Sequence, residues 1–229
     1  MITLARCDLK WCLNRLPKDV LALMKEEGDK VVLAGGYIRA RIAGEKPSDI
    51  DMFTKTPERA ELYARRLAGD YKRIVETDNA YSVIGKGLTV QFIKKWVYDR
   101  PCDVLGSFDF TIARACIWFA DKDWHGLCDD NYYIDLAARR LVYCSPKRIE
   151  EVGGSMLRVL KFYQRGYRIP LDSLGGVIAR VMTGIDLERP GAQSEDDWKL
   201  IITGLLREVD PATDPMHIAH LPAQDATDG

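Results

Sequence analysis

An apolar run that ends in paired glycines, followed by an alternating acidic segment, constrains this chain more than any other feature in it. Val31-Val32-Leu33-Ala34 reads as a buried strand. Gly35-Gly36 end it and let a backbone come close to a ligand. Tyr37-Ile38-Arg39 open a short helix, and nine residues later comes Asp49-Ile50-Asp51-Met52-Phe53. In that segment Asp49, Asp51 and Phe53 point one way and Ile50 and Met52 the other, as a strand requires. Two carboxylates then share one face, which is costly unless a cation sits between them. Magnesium suits carboxylate oxygens combined with a substrate phosphate, and a glycine turn supplies N–H groups to that phosphate. Asp-x-Asp alone is usually a solvated turn, and Gly-Gly alone is as weak. Their order, with Arg39 between them, gives the pattern its weight.

The 229 residues fit one full domain and a small second one. At 47% hydrophobic and 29% charged residues the composition is that of an ordinary globular protein. No apolar stretch approaches the ~20 residues that span a bilayer, and Met1 to Asp8 carry no secretory signal, so a cytoplasmic location is expected. Six scattered cysteines without a Cys-x-x-Cys read as reduced core residues, not as a disulfide or zinc framework. The net charge of -1 hides an uneven distribution. From Arg139 to Arg180 there are nine Lys/Arg against three Asp/Glu, whereas from Glu208 onward there are five acids and no Lys or Arg. The basic block could meet an anionic polymer.

Periodicity predicts a helix over 10–27, a strand over 30–34, a short helix to Ala43, the acidic strand 49–54 and a helix from Pro57 to about Leu67. Meandering strands follow at 71–76, 81–85 and 88–94, the last two joined through Gly85-Lys86-Gly87. Residues 108–119 read as one further strand, with Asp109 between Phe108 and Phe110. That acid would cap a helix, pair with an arginine, or face the metal site as a third carboxylate. A helix over 147–165 has Ile149, Val152, Met156, Leu160 and Tyr163 as its apolar stripe and Lys147, Arg158, Lys161 and Arg165 opposite. Helices over 172–183 and 195–208 follow, the latter capped by Ser194. His217 and His220 lie in a polar, Pro-containing tail expected to be disordered, without a third metal ligand. The expected organisation is a unit over 1–145, helices over 146–209 and a tail over 210–229.

These segments, in this order, resemble the head domain of the polymerase-β-like nucleotidyltransferases, most closely the poly(A) polymerase and tRNA CCA-adding branch. Gly35-Gly36-Tyr37-Ile38-Arg39 is similar to its Gly-Gly-x-x-Arg opening and Asp49-Ile50-Asp51 to its metal-binding pair. Asp109-Phe110-Thr111-Ile112 resembles the second motif, Ile134-Asp135-Leu136 the third, and Leu157-Arg158-Val159-Leu160-Lys161-Phe162 the neck helix. The resemblance spans about residues 28–170. Departures are as clear. Ser107-Phe108 stand where the second motif has two arginines, and of the neck's base-selecting Glu-Asp-x-x-Arg only Glu151 is kept. The long tRNA-gripping body is absent.

The resemblance implies an α+β fold, with a mixed or antiparallel sheet flanked by helices and followed by a short helical neck. It implies transfer of NMP from an NTP to a hydroxyl acceptor, RNA with a tRNA-like 3′ end, with two Mg²⁺ held by Asp49 and Asp51. Gly35, Gly36, Arg39 and Ser48 would serve the triphosphate. Asp109 would complete the metal site or orient the ribose. Arg139, Arg158 and Lys161 would meet the nucleotide's outer side or, within the basic 139–168 region, an RNA backbone. The alternatives are a nucleotidyltransferase toxin or small-molecule- or protein-modifying enzyme, and a degenerate head that binds nucleotide or RNA without chemistry.

Overall fold

A computed structural model describes residues 1–146, 153–183 and 194–209. Eight strands form one mixed sheet in the order β1-β8-β7-β2-β3-β6-β5-β4. The central strands are β2 (Val31–Ala34), β3 (Asp49–Thr54) and β6 (Thr89–Ile93). β5 (Ala80–Ile84) and β4 (Arg73–Glu76) continue on one side. β7 (Ala115–Ala120), β8 (Asp123–Cys128) and the two-residue β1 (Ile2–Thr3) complete the other. Only β3 and β6 pair in parallel; their crossover runs through α4 (Pro57–Ala68) and the antiparallel strands β4 and β5.

The sheet buries both faces. Val31, Leu33, Ile50, Met52, Val83, Val90 and Phe92 belong to the larger core, beneath α1 (Arg6–Leu13), α2 (Lys18–Glu27), α3 (Gly36–Ile42) and α4. Val32, Ala34, Phe53, Ala80 and Ile93 point the other way, onto Val104 and Leu105 of a 3-10 segment, Pro101–Ser107. Strand alternation therefore puts Asp49 and Asp51 on the second face, with Phe53. Two short helices follow the sheet, α5 (Tyr132–Ala137) and the neck helix α6 (Gly154–Gln164); α7 (Leu171–Thr183) and α8 (Glu195–Val209) come after. Ser194 caps α8: its hydroxyl accepts from the Asp197 amide at 3.2 Å, while the Asp197 carboxylate receives the Ser194 N–H at 3.1 Å. Among the described residues no helix is long and apolar enough to cross a membrane.

Three sequence expectations are corrected. The helix over 10–27 is two helices, because Pro17 cannot continue a helix from Leu13 and instead starts α2. The strand over 108–119 exists only from Ala115. Before it, residues 111–113 turn as a 3-10 segment that lets Thr111 hydrogen-bond buried Asp135 at 2.6 Å. In α6 the predicted apolar stripe is misplaced: Leu160 and Tyr163 are exposed, while Ser155, Leu157 and Val159 are buried. The start of that predicted helix, with Lys147, Ile149, Glu151 and Val152, lies outside the described residues, as does the tail with His217 and His220. All six cysteines are free thiols, and burial pushes Cys12 and Cys116 up to about 12, as expected for inert core residues.

The glycine turn shows why two glycines are needed and that they do different work. Gly35 has φ +78°, and a Cβ there would lie 2.7 Å from the Phe108 ring. Gly36 has no such φ, and a Cβ would meet nothing within 4 Å. Gly35→Ala is therefore expected to lower stability by about 1–3 kcal/mol. Gly36→Ala should leave the denaturation midpoint unchanged within about 0.5 kcal/mol. Urea unfolding of both variants checks the contrast.

Candidate active site

A cleft of about 450 Å³ opens on the second face of the sheet. Its floor is β3, β6 and β5, and its far wall is α6. Among the predicted site residues, Gly36, Asp51, Asp109, Arg158 and Lys161 all line it. Asp49 stands two residues before Asp51 on the same strand face, and the exposed Ser48 hydroxyl donates to its Oδ1 at 2.8 Å.

Asp51 makes no hydrogen bond or ion pair among the described residues. Burial first, and Asp49 second, push its carboxyl up to about 7, against the opposing pull of Arg158. That is the electrostatic state of a site with too much negative charge. A dication fits it: two carboxylates supply oxygens on one side, and phosphate oxygens or water complete the shell. Among the described residues no cluster of three metal-ligating side chains occurs.

Asp109 is buried at 2% exposure and is held by Arg158, whose Nη1 donates to Oδ2 at 2.6 Å. Of the roles open to it in the sequence, the structure shows the arginine pair. The contact fastens α6 across the cleft, since Arg158 reaches it from the neck helix.

Two predicted nucleotide-binding arginines, Arg39 for the triphosphate and Arg139 for the nucleotide's outer side or an RNA backbone, do not line the cleft. Arg39 is 3% exposed; its guanidinium sits 3.2 Å from Glu45 and over the rings of Phe162, at 4.8 Å, and Tyr167, at 5.9 Å. Its position on the buried side of a seven-residue helix explains this. Tyr167 in turn donates to Glu45 at 2.9 Å. Arg39 thus supports Phe162, which does line the cleft. Arg139 has φ +48° and gives a hydrogen bond of 2.8 Å to the Arg165 carbonyl, clasping the end of α6.

Sequence reasoning passed over the rest of the floor. Thr77, Asn79, Ser82, Gln91 and Trp96 also line the cleft. The alternation of Thr89 and Gln91 with Val90 and Phe92 was the available signal: a strand in mid-sheet with polar residues on one face has something polar to meet. Asp135, of the segment that resembles the third motif, was given no role in the sequence; it is fully buried and held by Arg140 at 2.6 Å and by Thr111.

The mixed sheet and the helices around it have their likeness in the fold of CCA-adding enzymes. Solved structures bear the likeness out. A Thermotoga maritima CCA-adding enzyme complexed with tRNA has TM-score 0.58 and 24% identity, over 80% of this chain and 47% of that one. A CCA-adding enzyme complex with ATP has TM-score 0.59 and 22% identity, over 92% of this chain and 51% of that one. The corresponding CTP complex has TM-score 0.58 and 21% identity, over 96% and 52%. The chain spans about half the length of these structures, and at such identities the likeness is one of fold. Residues 4–149 match the family described as Gad2, Gabija anti-defense 2 family protein, and the chain belongs to that family. No curated protein matches its sequence.

The raised carboxyl of Asp51 has a stability consequence with a definite sign. A carboxyl held above its ordinary value costs the folded state free energy once the pH exceeds that ordinary value, and the cost grows until the pH passes the folded value. Asp51→Asn is therefore expected to raise the melting temperature in metal-free buffer at pH 8. Millimolar Mg²⁺ or Mn²⁺ should raise the melting temperature of the unaltered chain and leave that of Asp51→Asn unmoved. Differential scanning calorimetry with and without the ion reads both effects.

Proposed function

We propose that this chain is a metal-dependent nucleotidyltransferase that moves NMP from an NTP to a hydroxyl acceptor, and that the acceptor is RNA. The observation that carries this reading is the Asp49–Asp51 pair on one face of β3, opening on a cleft that also holds Arg158 and Lys161. A magnesium ion bound to the two carboxylates would neutralise and orient the triphosphate. The chain's own residues supply the rest. The first-turn amides of α3 have no intrahelical partners, and Gly36 at its start faces the cleft, where the β- and γ-phosphates would lie. Arg158 and Lys161 offer positive charge from the opposite wall, and Asp109 positions Arg158. In the transfer, the acceptor oxygen bonds to the α-phosphorus as the bond from that phosphorus to pyrophosphate breaks. The bonding pair leaves with pyrophosphate, and the hydroxyl proton passes to water.

The acceptor assignment is supported by exposed Arg139, Arg140, Arg165 and Arg168. Residues 139–141 run beside Arg168, with the Leu141 amide bonding the Arg168 carbonyl and the Arg168 amide bonding the Arg139 carbonyl, both at 2.8 Å. This sets the backbones of Arg139, Arg140 and Arg168 side by side; Arg140 has its charge matched by Asp135, which leaves Arg139, Arg165 and Arg168 to meet an RNA backbone. Ligands named for the solved neighbours, ATP, CTP and tRNA, agree with nucleotide and RNA as substrates. The family description gives the setting: we infer that the transfer serves to defeat the Gabija defence.

The test incubates the chain with Mg²⁺ and each labelled NTP, with total RNA and protein from Gabija-carrying cells as acceptors. Label on RNA, reduced about 100-fold or more in Asp51→Asn, is the expected result. Label on protein or on a small molecule would put the acceptor in the modifying-enzyme class. Nucleotide binding without transfer would mean a binding module. Full transfer by Asp49→Asn and Asp51→Asn would overturn the mechanism.

A further inference from the structure

The half of the cleft floor beyond the acid pair has no part in the account so far. An in-line displacement brings the entering oxygen in opposite the leaving one. With pyrophosphate beside Gly36, at the exit of β2, the entering hydroxyl must come from the other side of β3, where β6 and β5 lie. Register fixes which residues stand there. Asp51 is opposite Gln91 on β6, and Gln91 is opposite Ser82 on β5. Adjacent strands are about 4.8 Å apart, so the row lies roughly 5 and 10 Å from Asp51. Asn79 and Thr77, just before β5, extend it.

The chemistry of this row differs from that of the acid pair. It holds amides and hydroxyls, with Phe53, Ile93 and Trp96 around them, and the Lys95 ammonium lies 5.2 Å from the centre of the Trp96 ring. Gln91 and Ser82 make no side-chain hydrogen bond among the described residues. Asn79 Oδ1 is buried without a hydrogen-bond partner, which a ligand donor would relieve. Side-chain amides offer a donor beside an acceptor, the combination that reads the edge of a nucleobase. On the facing helix Arg158, Lys161 and Arg165, spaced by three and four residues, carry positive charge out of the cleft. A nucleic-acid 3′ end has the matching profile: a last nucleoside with an uncharged 3′ hydroxyl, preceded by anionic linkages.

We propose that Gln91, Ser82 and Asn79 form the acceptor subsite, which reads the terminal nucleobase of an RNA acceptor and decides which 3′ ends are extended. The proposal rests on the nucleotidyl-transfer reading. Its test compares the unaltered chain with Gln91→Leu, Asn79→Leu and the milder Ser82→Ala, each checked for an unchanged melting profile, on oligoribonucleotides ending in A, C, G or U. The expected result is an acceptor KM raised about tenfold, with the NTP KM unchanged and the preference among the four ends flattened. A raised NTP KM with an unchanged acceptor KM would assign the row to the donor and overturn the proposal. Unchanged constants, or transfer to protein hydroxyls that free nucleosides do not inhibit, would overturn it too. A second measurement does not depend on transfer: free nucleosides titrated into the full chain should quench tryptophan emission, with the change lost in Trp96→Phe and weakened in Gln91→Leu. If the unaltered chain transfers nothing, the parent reading falls, and the titration still decides the subsite: quenching lost on substitution supports it, and absence of quenching overturns it.

Discussion

The ion pair between Asp109 and Arg158 is the contact on which the cleft depends. Asp109 is fixed in the head, in the irregular stretch before β7, and Arg158 projects from the neck helix. Removing Arg158, whose side chain is 36% exposed, would strand the carboxylate of buried Asp109. Here the loss would also free one wall of the cleft. Arg39 against Phe162, Tyr167 against Glu45 and Arg139 on the Arg165 carbonyl fasten the same helix from the other side. Without these four contacts there would be a sheet with an acid pair and no enclosed site.

That arrangement also decides which carboxylates remain available. Asp109 and Asp135 are both buried, and both are matched by arginines. Among the described residues Asp51 is not hydrogen-bonded, and its neighbour Asp49 has the Ser48 hydroxyl as its one side-chain partner. Unbalanced negative charge is thus concentrated on one strand face, beside the unpaired amides of a helix start.

Much of this was legible because it rests on local rules. Alternation placed Asp49 and Asp51 on one face, and the glycine pair marked the end of β2, both from residues adjacent in sequence. What stayed hidden depended on contacts between distant segments. Arg39 looked like a phosphate ligand from its spacing, yet it is buried because Glu45, Phe162 and Tyr167 converge on it. The apolar stripe of α6 was set from the helix period alone. Polar Ser155 is buried and Leu160 is not, because the helix packs across a cleft and not onto a uniform core. Gln91 and Ser82 became neighbours of Asp51 only through the β3–β6–β5 register, which no single stretch of sequence encodes.

The same geometry bears on the motif this chain has lost. In the family it resembles, base selection is assigned to a Glu-Asp-x-x-Arg at the neck; here that stretch ends in Gly153-Gly154-Ser155. Gly154 lines the cleft and Ser155 is buried away from solvent, so the entrance of α6 presents almost no side chain there. Among the described residues the cleft offers, besides its floor, Arg158 and Lys161 and the apolar Phe108, Leu157 and Phe162. The two cations recognise phosphate in any sequence. The groups there that can pair with a base edge are amides and hydroxyls: Gln91 on β6, Ser82 on β5, and Asn79 and Thr77 just before β5.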